Sequence, residues 1–563
     1  MIIKNKEITV IDIFAGPGGL SEGFSNFSNF TGSKISFNIK LSIEKNATAA
    51  KTLKLRSFYR KFDQSKVPEC YYDFIRGDED AFDKIKMLPQ WEEAEEHVWN
   101  GALGDIPDIE LHSRIARSIS GNKDWVLLGG PPCQAYSLVG RARMSGLGHT
   151  VRSEGLAEDE LLKLKSDKQS EFLQDHRHTL YKEYLRIVAI HQPAVFVMEN
   201  VKGILSSKFP DGIDDTGKPI SKKAFDVIRN DLQNPCEAFK NDNSYKELKL
   251  QHNSKESEYE LYSFVKNSDR DLLNHISDRD FVIRSEEYGV PQKRHRVIIL
   301  GVRKDIKTKP SILKKRDRVT VKDIIGSMPK LRSGLSKKED TSENWLKTRR
   351  DALPLPLLDS IISHRYKNEV ADILEQTSTI LDRGYPFIAN IAPISDNTLE
   401  LKKWIEDPRL KGIIQHETRA HMNSDLGRYL FVSIVGKAKK TSPSLDDWPD
   451  KLLPSHKNVL DGNGKRSKKQ SFKDRFKVQL YTEPASTITS HISKDGHYFI
   501  HPDPSQTRSL TMREAARLQT FPDNYYFCGN RTERYHQVGN AVPPFLALQL
   551  AKVISDLFKR ISI

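Results

Sequence analysis

Only four cysteines, Cys70, Cys133, Cys236 and Cys528, are spread over 563 residues, and no two have C-x-x-C spacing. That scarcity excludes a disulfide framework or a cysteine-rich zinc cluster and leaves a single reactive thiol as the better expectation. Long apolar runs are also missing: stretches such as Val297 to Val302 fall far short of the roughly 20 residues a membrane helix needs. Met1 to Ile11 shows no signal-peptide core, so a soluble, cytoplasmic protein with no membrane partner is expected. No internal repeat, collagen-like or prion-like tract is present, which removes solenoid and fibrous architectures. His416-Glu417-Thr418-Arg419-Ala420-His421 comes near a zinc signature. It lacks the H-E-x-x-H spacing that places both imidazoles on one helical face, so no metal is expected.

What the chain has in excess is positive charge. Lysine and arginine outnumber aspartate and glutamate to give a net +14. Such a surplus favours polyanionic partners through counterion release, nucleic acid first, although a mixed solvated surface has the same composition. A hydrophobic content of 37% is enough to build a core. The first 303 residues carry short apolar runs that end in Gly, Glu or Pro and alternate with helical or charged stretches, the pattern of an α/β doubly wound sheet. Strands are expected at Ile8 to Phe14, Ile35 to Ile43, Trp125 to Leu128, Ala194 to Met198, Phe281 to Arg284 and Val297 to Val302. Helices are expected at Thr179 to His191 and around Arg513 to Leu518. Lys51 to Leu103 and Ser206 to Asp280 read as insertions, the second as surface elaboration. Residues 304–350 carry a local surplus of nine positive charges and residues 461–477 one of five, a shift that marks a second domain. From Leu510 onward the patterning returns to helix and strand, as expected of a segment that packs back on the first domain.

Ligands of such sheets bind at the carboxyl ends of strands, and chemistry-bearing residues collect there. Phe14-Ala15-Gly16-Pro17-Gly18-Gly19-Leu20 follows the first strand as a glycine turn able to cradle an adenosine-type cofactor, without the full G-x-G-x-x-G of a dinucleotide site. Glu44 ends the next strand, where a carboxylate can accept hydrogen bonds from both ribose hydroxyls. Cys133 follows Gly129-Gly130-Pro131-Pro132, a position where a thiolate is exposed to backbone donors and made nucleophilic. Glu199 ends the run Ala194 to Met198 and continues into Asn200-Val201. Gln292-Lys293-Arg294-His295-Arg296 stands immediately before the strand at Val297, and Gln537-Val538-Gly539-Asn540-Ala541-Val542-Pro543-Pro544 lies near the end.

In this order these segments, with Pro484 to Thr489 and Arg508 to Pro522, resemble the DNA (cytosine-5) methyltransferase family of prokaryotic restriction-modification type. The resemblance spans Ile8 to Arg303 in segments and Phe472 to the end. It implies an S-adenosylmethionine-dependent methyltransferase fold, with residues 1–303 completed by 510–563 and a target-recognition domain in 304–509. It further implies that Cys133 attacks C6 of a flipped cytosine, Glu199 assists at N3 and the exocyclic amine, and Arg294 and Arg296 meet the base and its phosphate while bracing the site. S-adenosyl-L-methionine would be held by Phe14, Ala15, Gly16, Gly18, Gly19, Leu20, Glu44, Asp105, Ile106, Pro132, Leu180, Asn540 and Val542. Lys45 replaces the aromatic or apolar residue usual after the ribose acid. Ala135 to Gly148 becomes the closing loop, with Arg141 and Arg143 available to phosphates. The expected partner is double-stranded DNA, with a monomeric enzyme and a cognate restriction endonuclease that shares the site without touching it. The alternatives are a tRNA cytosine methyltransferase, whose Cys-Phe-Thr signature this chain lacks, a catalytically silent DNA-binding protein on the same scaffold, and a nicotinamide dehydrogenase.

Overall fold

The computed structural model describes residues 5–132, 180–213, 219–252, 257–267, 276–337, 339–358, 362, 366, 368, 370, 381–455, 459–460, 465–466 and 473–561. One sheet gathers β1 (Lys6–Ile13), β2 (Ile35–Glu44), β3 (Val98–Asn100), β4 (Trp125–Gly129), β5 (Val195–Val201), β6 (Tyr259–Ser263), β7 (Val282–Arg284) and β8 (His295–Arg303). Their spatial order is β3-β2-β1-β4-β5-β8-β6, and β7 pairs with the start of β8. β1 to β5 pair in parallel, and β8 alone runs against its neighbours. The reversal follows from connection length: the short Ser285 to Gln292 turn can join β7 and β8 only as an antiparallel pair, whereas parallel neighbours need a long crossover. Strand order turns back between β1 and β4, which opens a crevice at their carboxyl ends.

The principal helices are α1 (Gly19–Ser25), α2 (Ala47–Tyr59), α3 (Asp108–Ile119), α4 (Leu180–His191), α5 (Ala224–Gln233), α6 (Asn423–Lys439), α7 (Met512–Leu518), α8 (Arg531–Asn540) and α9 (Pro544–Ile561). β1 and β4 are apolar on both faces because both are covered. Ile8, Val10, Val126 and Leu128 pack toward α1, α7 and α9, while Ile11, Ile13, Leu127 and Met198 pack toward α4 and α5. Apolar residues of the carboxyl-terminal helices thus share one core with the first sheet face. The run Arg531–Ile561 has the length and hydropathy of a membrane span, yet 89% of its apolar window is buried inside the protein, as core helix.

Both supposed insertions contribute to the sheet. Lys51 to Leu103 carries most of α2 and the edge strand β3, and Ser206 to Asp280 carries β6 and α5, whose Phe225, Ile228 and Leu232 lie in the core. The second stretch, whose polar composition suggests surface elaboration, instead supplies an edge strand with four of its five residues buried and a helix with a core-facing apolar side. Within 304–509, Tyr429, Phe431 and Val432 of α6 form a separate core with Trp448, Phe476, Val478 and Ile500. Val321, Ile324, Trp404 and Ile413 instead join the apolar layer of the sheet.

Between α3 and α4, His112 Nδ1 lies 2.9 Å from His191 Nε2, and the His252 ring stands 5.0 Å from that of His191. Burial pushes His112 down from 6.5 to about 4 and depresses His191 and His252 as well. These rings stay neutral in the fold but protonate in the unfolded chain, so their contribution is present above pH 6.5 and is lost as the pH falls toward 4. Between pH 7 and pH 5 the thermal midpoint should therefore fall. His112→Leu should remove roughly 2 kcal/mol of that acid sensitivity at pH 5. Equal pH slopes for the two proteins in calorimetry would contradict this.

Candidate active site

β1 ends where its chain must turn sharply. Phe14, Gly16 and Gly18 all have positive φ, at 54°, 58° and 93°. The turn is closed by the Ala15 N–H on the Ile43 carbonyl at 3.1 Å and the Gly18 N–H on the Ala15 carbonyl at 2.9 Å. Its glycines face different surroundings. A Cβ at Gly19 would meet the Val542 carbonyl oxygen at 2.2 Å, and one at Gly18 would meet Leu53 at 2.7 Å, so both are pressed against protein. A Cβ at Gly16 would find nothing within 4 Å. Gly16 therefore borders open space at the crevice.

The neighbouring strand ends line the same lip. The Glu44 carboxylate accepts from the Gly16 N–H at 2.8 Å and from the Asn46 N–H at 2.7 Å, and burial raises its pKa. The Gly101 N–H donates to the Glu44 carbonyl at 3.1 Å, and Ile106 packs so closely that a Cβ on Gly101 would sit 2.7 Å from its Cδ1. Asp105 is exposed and lies 3.9 Å from Lys45 Nζ, so the lysine places a charge where the resemblance implied an aromatic or apolar residue. Gly104 has φ of 90°, and its nearest side chain is Leu180 at the start of α4, 3.9 Å from where a Cβ would stand. Leu20 is buried on α1, whereas Asn540 is exposed at the end of α8 with Nδ2 3.2 Å from His536 Nδ1. Val542 reaches the site through its backbone, against Gly19.

At the far side of the crevice, Glu199 stands on β5 opposite Ile298 of β8. Its Oε1 lies 3.0 Å from Arg296 Nε, and both side chains are only 14% exposed. A Cβ on Gly130 would be 3.1 Å from Glu199 Oε2, so the loop leaving β4 passes directly beside the carboxylate. Pro132 follows, half-buried. Cys133, the Ala135 to Gly148 loop and its Arg141 and Arg143 lie outside the described residues.

Of the two arginines expected at the base and phosphate, only Arg296 meets the carboxylate. Arg294 is buried, and its Nη1 donates to the carbonyls of Ile488 at 2.8 Å and Gly539 at 3.2 Å. It braces the site from behind. Burial lowers both guanidiniums, with Arg296 adding to the effect on Arg294. His416 bonds Thr511 at 2.9 Å and the Pro329 carbonyl at 3.2 Å, and His421 turns toward Ser509. The two histidines are separate interior hydrogen-bonding residues.

The sequence profile of the family described as C-5 cytosine-specific DNA methylase matches residues 165–233 and 280–556, more than half of the chain. The chain belongs to this family. The methylase is 29% identical to the type II methyltransferase M.Bpa9945I of Bacillus paralicheniformis over 97% of its own length and 98% of the relative's. It is 22% identical to the type II methyltransferase M1.HphI of Haemophilus parahaemolyticus, over 98% of this chain and 88% of that one. It is also 22% identical to the DNA (cytosine-5-)-methyltransferase M.ApeKI of Aeropyrum pernix, over 98% of both.

Family and fold imply that the methylase uses S-adenosylmethionine, and the lip has the shape for it. Gly16 faces open space beside the half-buried Glu44 carboxylate, and Gly104 has only Leu180 near it, whereas Gly18 and Gly19 hold the turn in place from behind. Gly19→Ala drives a methyl group into backbone that cannot yield cheaply. It should weaken S-adenosylmethionine binding roughly 5- to 150-fold by isothermal titration. Unchanged affinity in a folded variant would refute the packing argument.

Sequence reading missed Asp12, buried at the end of β1. It accepts from the Ser21 hydroxyl, burial pushes it up to about 7, and its Oδ1 has no partner among the described residues. An acid inside the apolar second half of the strand, Val10 to Ile13, was the available signal.

Proposed function

We propose that this methylase is a sequence-specific DNA cytosine C5 methyltransferase of a restriction-modification system, with Cys133 as nucleophile and Glu199 as the group that relieves charge on the ring. The observation that carries the reading is the Glu199–Arg296 pair beside Gly130, at the mouth of the loop that leads to Cys133 and across the crevice from the glycine turn. The type II relatives support the restriction-modification setting. S-adenosylmethionine, when bound, supplies an electrophilic methyl group. Gly16, Glu44, Asp105, Ile106 and Leu180 would hold it, with the backbone of Phe14, Ala15, Gly18, Gly19, Leu20, Pro132 and Val542 and the Asn540 side chain shaping the rest.

The target base lies inside the stack and must be extruded before a protein side chain can reach it. Addition of the Cys133 thiolate to C6 forms the S–C6 bond and consumes the 5,6 double bond, so the electron pair moves onto C5 and into the N3 region. Glu199 holds the proton at N3 and accepts from the 4-amino group, which selects cytosine over thymine. Arg296 fixes the carboxylate orientation through its Nε. After C5 is substituted, its proton leaves to a base, the double bond re-forms and the thiolate departs.

Residues 304–509 serve as the recognition domain on 1–303 and 510–563, and their basic stretches face the phosphates. The enzyme acts as a cytoplasmic monomer on duplex DNA, and a cognate endonuclease would share the site without contact. Incubation with S-adenosylmethionine and duplex DNA containing 5-fluorocytosine should trap a denaturation-resistant adduct, because fluorine at C5 cannot leave as a proton. No adduct from the intact protein overturns the mechanism. Faster labelled transfer to tRNA than to duplex DNA would make it a tRNA enzyme, and tight DNA binding with no transfer would make it a silent binder.

A further inference from the structure

α2, which follows the ribose-side residue Glu44, buries a polar stripe. Thr48, Thr52 and Arg56 recur at every fourth position and so share one face. Thr48 donates to Glu533 at 2.8 Å and Thr52 to Gln537 at 2.7 Å, both on α8. Arg56 Nε donates to Glu22 Oε2 at 2.9 Å, and its Nη1 donates to Asn524 Oδ1 at 2.9 Å. Glu22 is fully buried on α1, three residues past Gly19, and Arg60 adds a second guanidinium 2.8 Å away. Burial alone would raise the Glu22 carboxyl, yet Arg56 and Arg60 hold it at about 2.

The cluster reaches the glycine turn on one side and the segment around residue 407 on the other. The Arg56 guanidinium lies 3.9 Å from the Tyr59 ring centre and 4.8 Å from that of Tyr525. The Tyr525 hydroxyl in turn donates to the Pro17 carbonyl inside the turn. Asn524 Nδ2 donates to Tyr59 Oη at 2.9 Å and to Asp407 Oδ2 at 2.5 Å, and Tyr72 Oη donates to the same Asp407 oxygen at 2.7 Å. Arg409 covers the Tyr72 ring at 4.4 Å, and Ile413–Glu417 follows as a strand. A buried charge cluster tolerates few arrangements, because losing any one partner strands the others without solvent.

We propose that Glu22, Arg56, Asn524 and Asp407 are positioning residues that lock the shape of the cofactor turn to the seating of the 407–417 segment. The proposal rests on the reading of the glycine turn as the S-adenosylmethionine site. Its distinctive consequence is that Asp407, which the structure joins to the turn through Asn524 and from there through Arg56 and Glu22 and through Tyr525, influences cofactor affinity. Titration of S-adenosylmethionine into the full-length protein should show Asp407→Asn raising Kd about five- to tenfold, and Arg56→Lys at least as much. Asp340→Asn supplies the control. It removes a carboxylate of the same region that pairs with Arg332 and Arg383, outside this cluster, and should leave Kd unchanged even where the thermal midpoint drops. An Asp407→Asn Kd within twofold of wild type, or an equal rise in Asp340→Asn, overturns the proposal while the cofactor reading stands. Failure of the wild-type chain to bind S-adenosylmethionine overturns both.

Discussion

Cys133→Ser should abolish methyl transfer, by on the order of 10⁴-fold or more, while leaving DNA binding intact. The substitution exchanges sulfur for oxygen and little else. A thiol with an ordinary pKa near 8.5 keeps a useful thiolate fraction at neutral pH. A serine hydroxyl has no comparable ionised fraction and is a harder, weaker nucleophile toward a ring carbon. Only a neighbouring base could activate it, and Glu199 is already engaged with Arg296 at 3.0 Å. Labelled methyl transfer under single-turnover conditions measures the effect, and gel shift on the same duplex shows that binding survives. Transfer within tenfold of wild type would sink the covalent mechanism.

Glu199→Gln should lower kcat by about 10²- to 10⁴-fold, with a smaller change in KM for DNA. Glutamine keeps the shape and can still accept from the 4-amino group through its carbonyl oxygen. It cannot hold an exchangeable proton at N3, so the negative charge driven into the ring by the thiolate goes unrelieved. The variant also strips Arg296 of its carboxylate partner in a place that is 14% exposed, and the freed guanidinium should swing and loosen the pocket. Arg296→Lys separates the two effects. It keeps the charge but loses the fixed Nε donor, so it should cost activity less than Glu199→Gln. A Glu199→Gln enzyme with kcat within threefold of wild type would remove the carboxylate from the chemistry.

Much of the site's outline was legible without coordinates. β1, β2, β4, β5 and β8 lie where short apolar runs predict them, and the glycine turn and Glu44 stand at or just beyond strand ends, whereas Glu199, expected just past its strand, lies inside β5, which runs on to Val201. These features are locally encoded: a strand covered on both faces must be apolar throughout, and its abrupt end in Gly or Glu needs no distant information. The two edge strands were not legible, because Val98–Asn100 is three residues long and Tyr259–Ser263 sits in a polar stretch. Each becomes a strand through the neighbour it pairs with. Arg294 and Arg296 also look equivalent in the sequence. Arg294 falls in the break between the short Gln292–Lys293 strand and β8, so one arginine turns into the interior and the other toward Glu199.

The chain by itself determined the kind of chemistry: which strand ends carry a thiol, a carboxylate and a glycine turn, in what order, and with what surplus of positive charge. Tertiary structure decided which of those groups meet. Glu22, Arg56 and Asn524 are 34 and 468 residues apart along the chain and in direct contact in the fold. Backbone sterics and burial act on neighbours and leave a readable pattern. The pairing of buried charges depends instead on which distant segments the packed core brings together, and no local pattern records it.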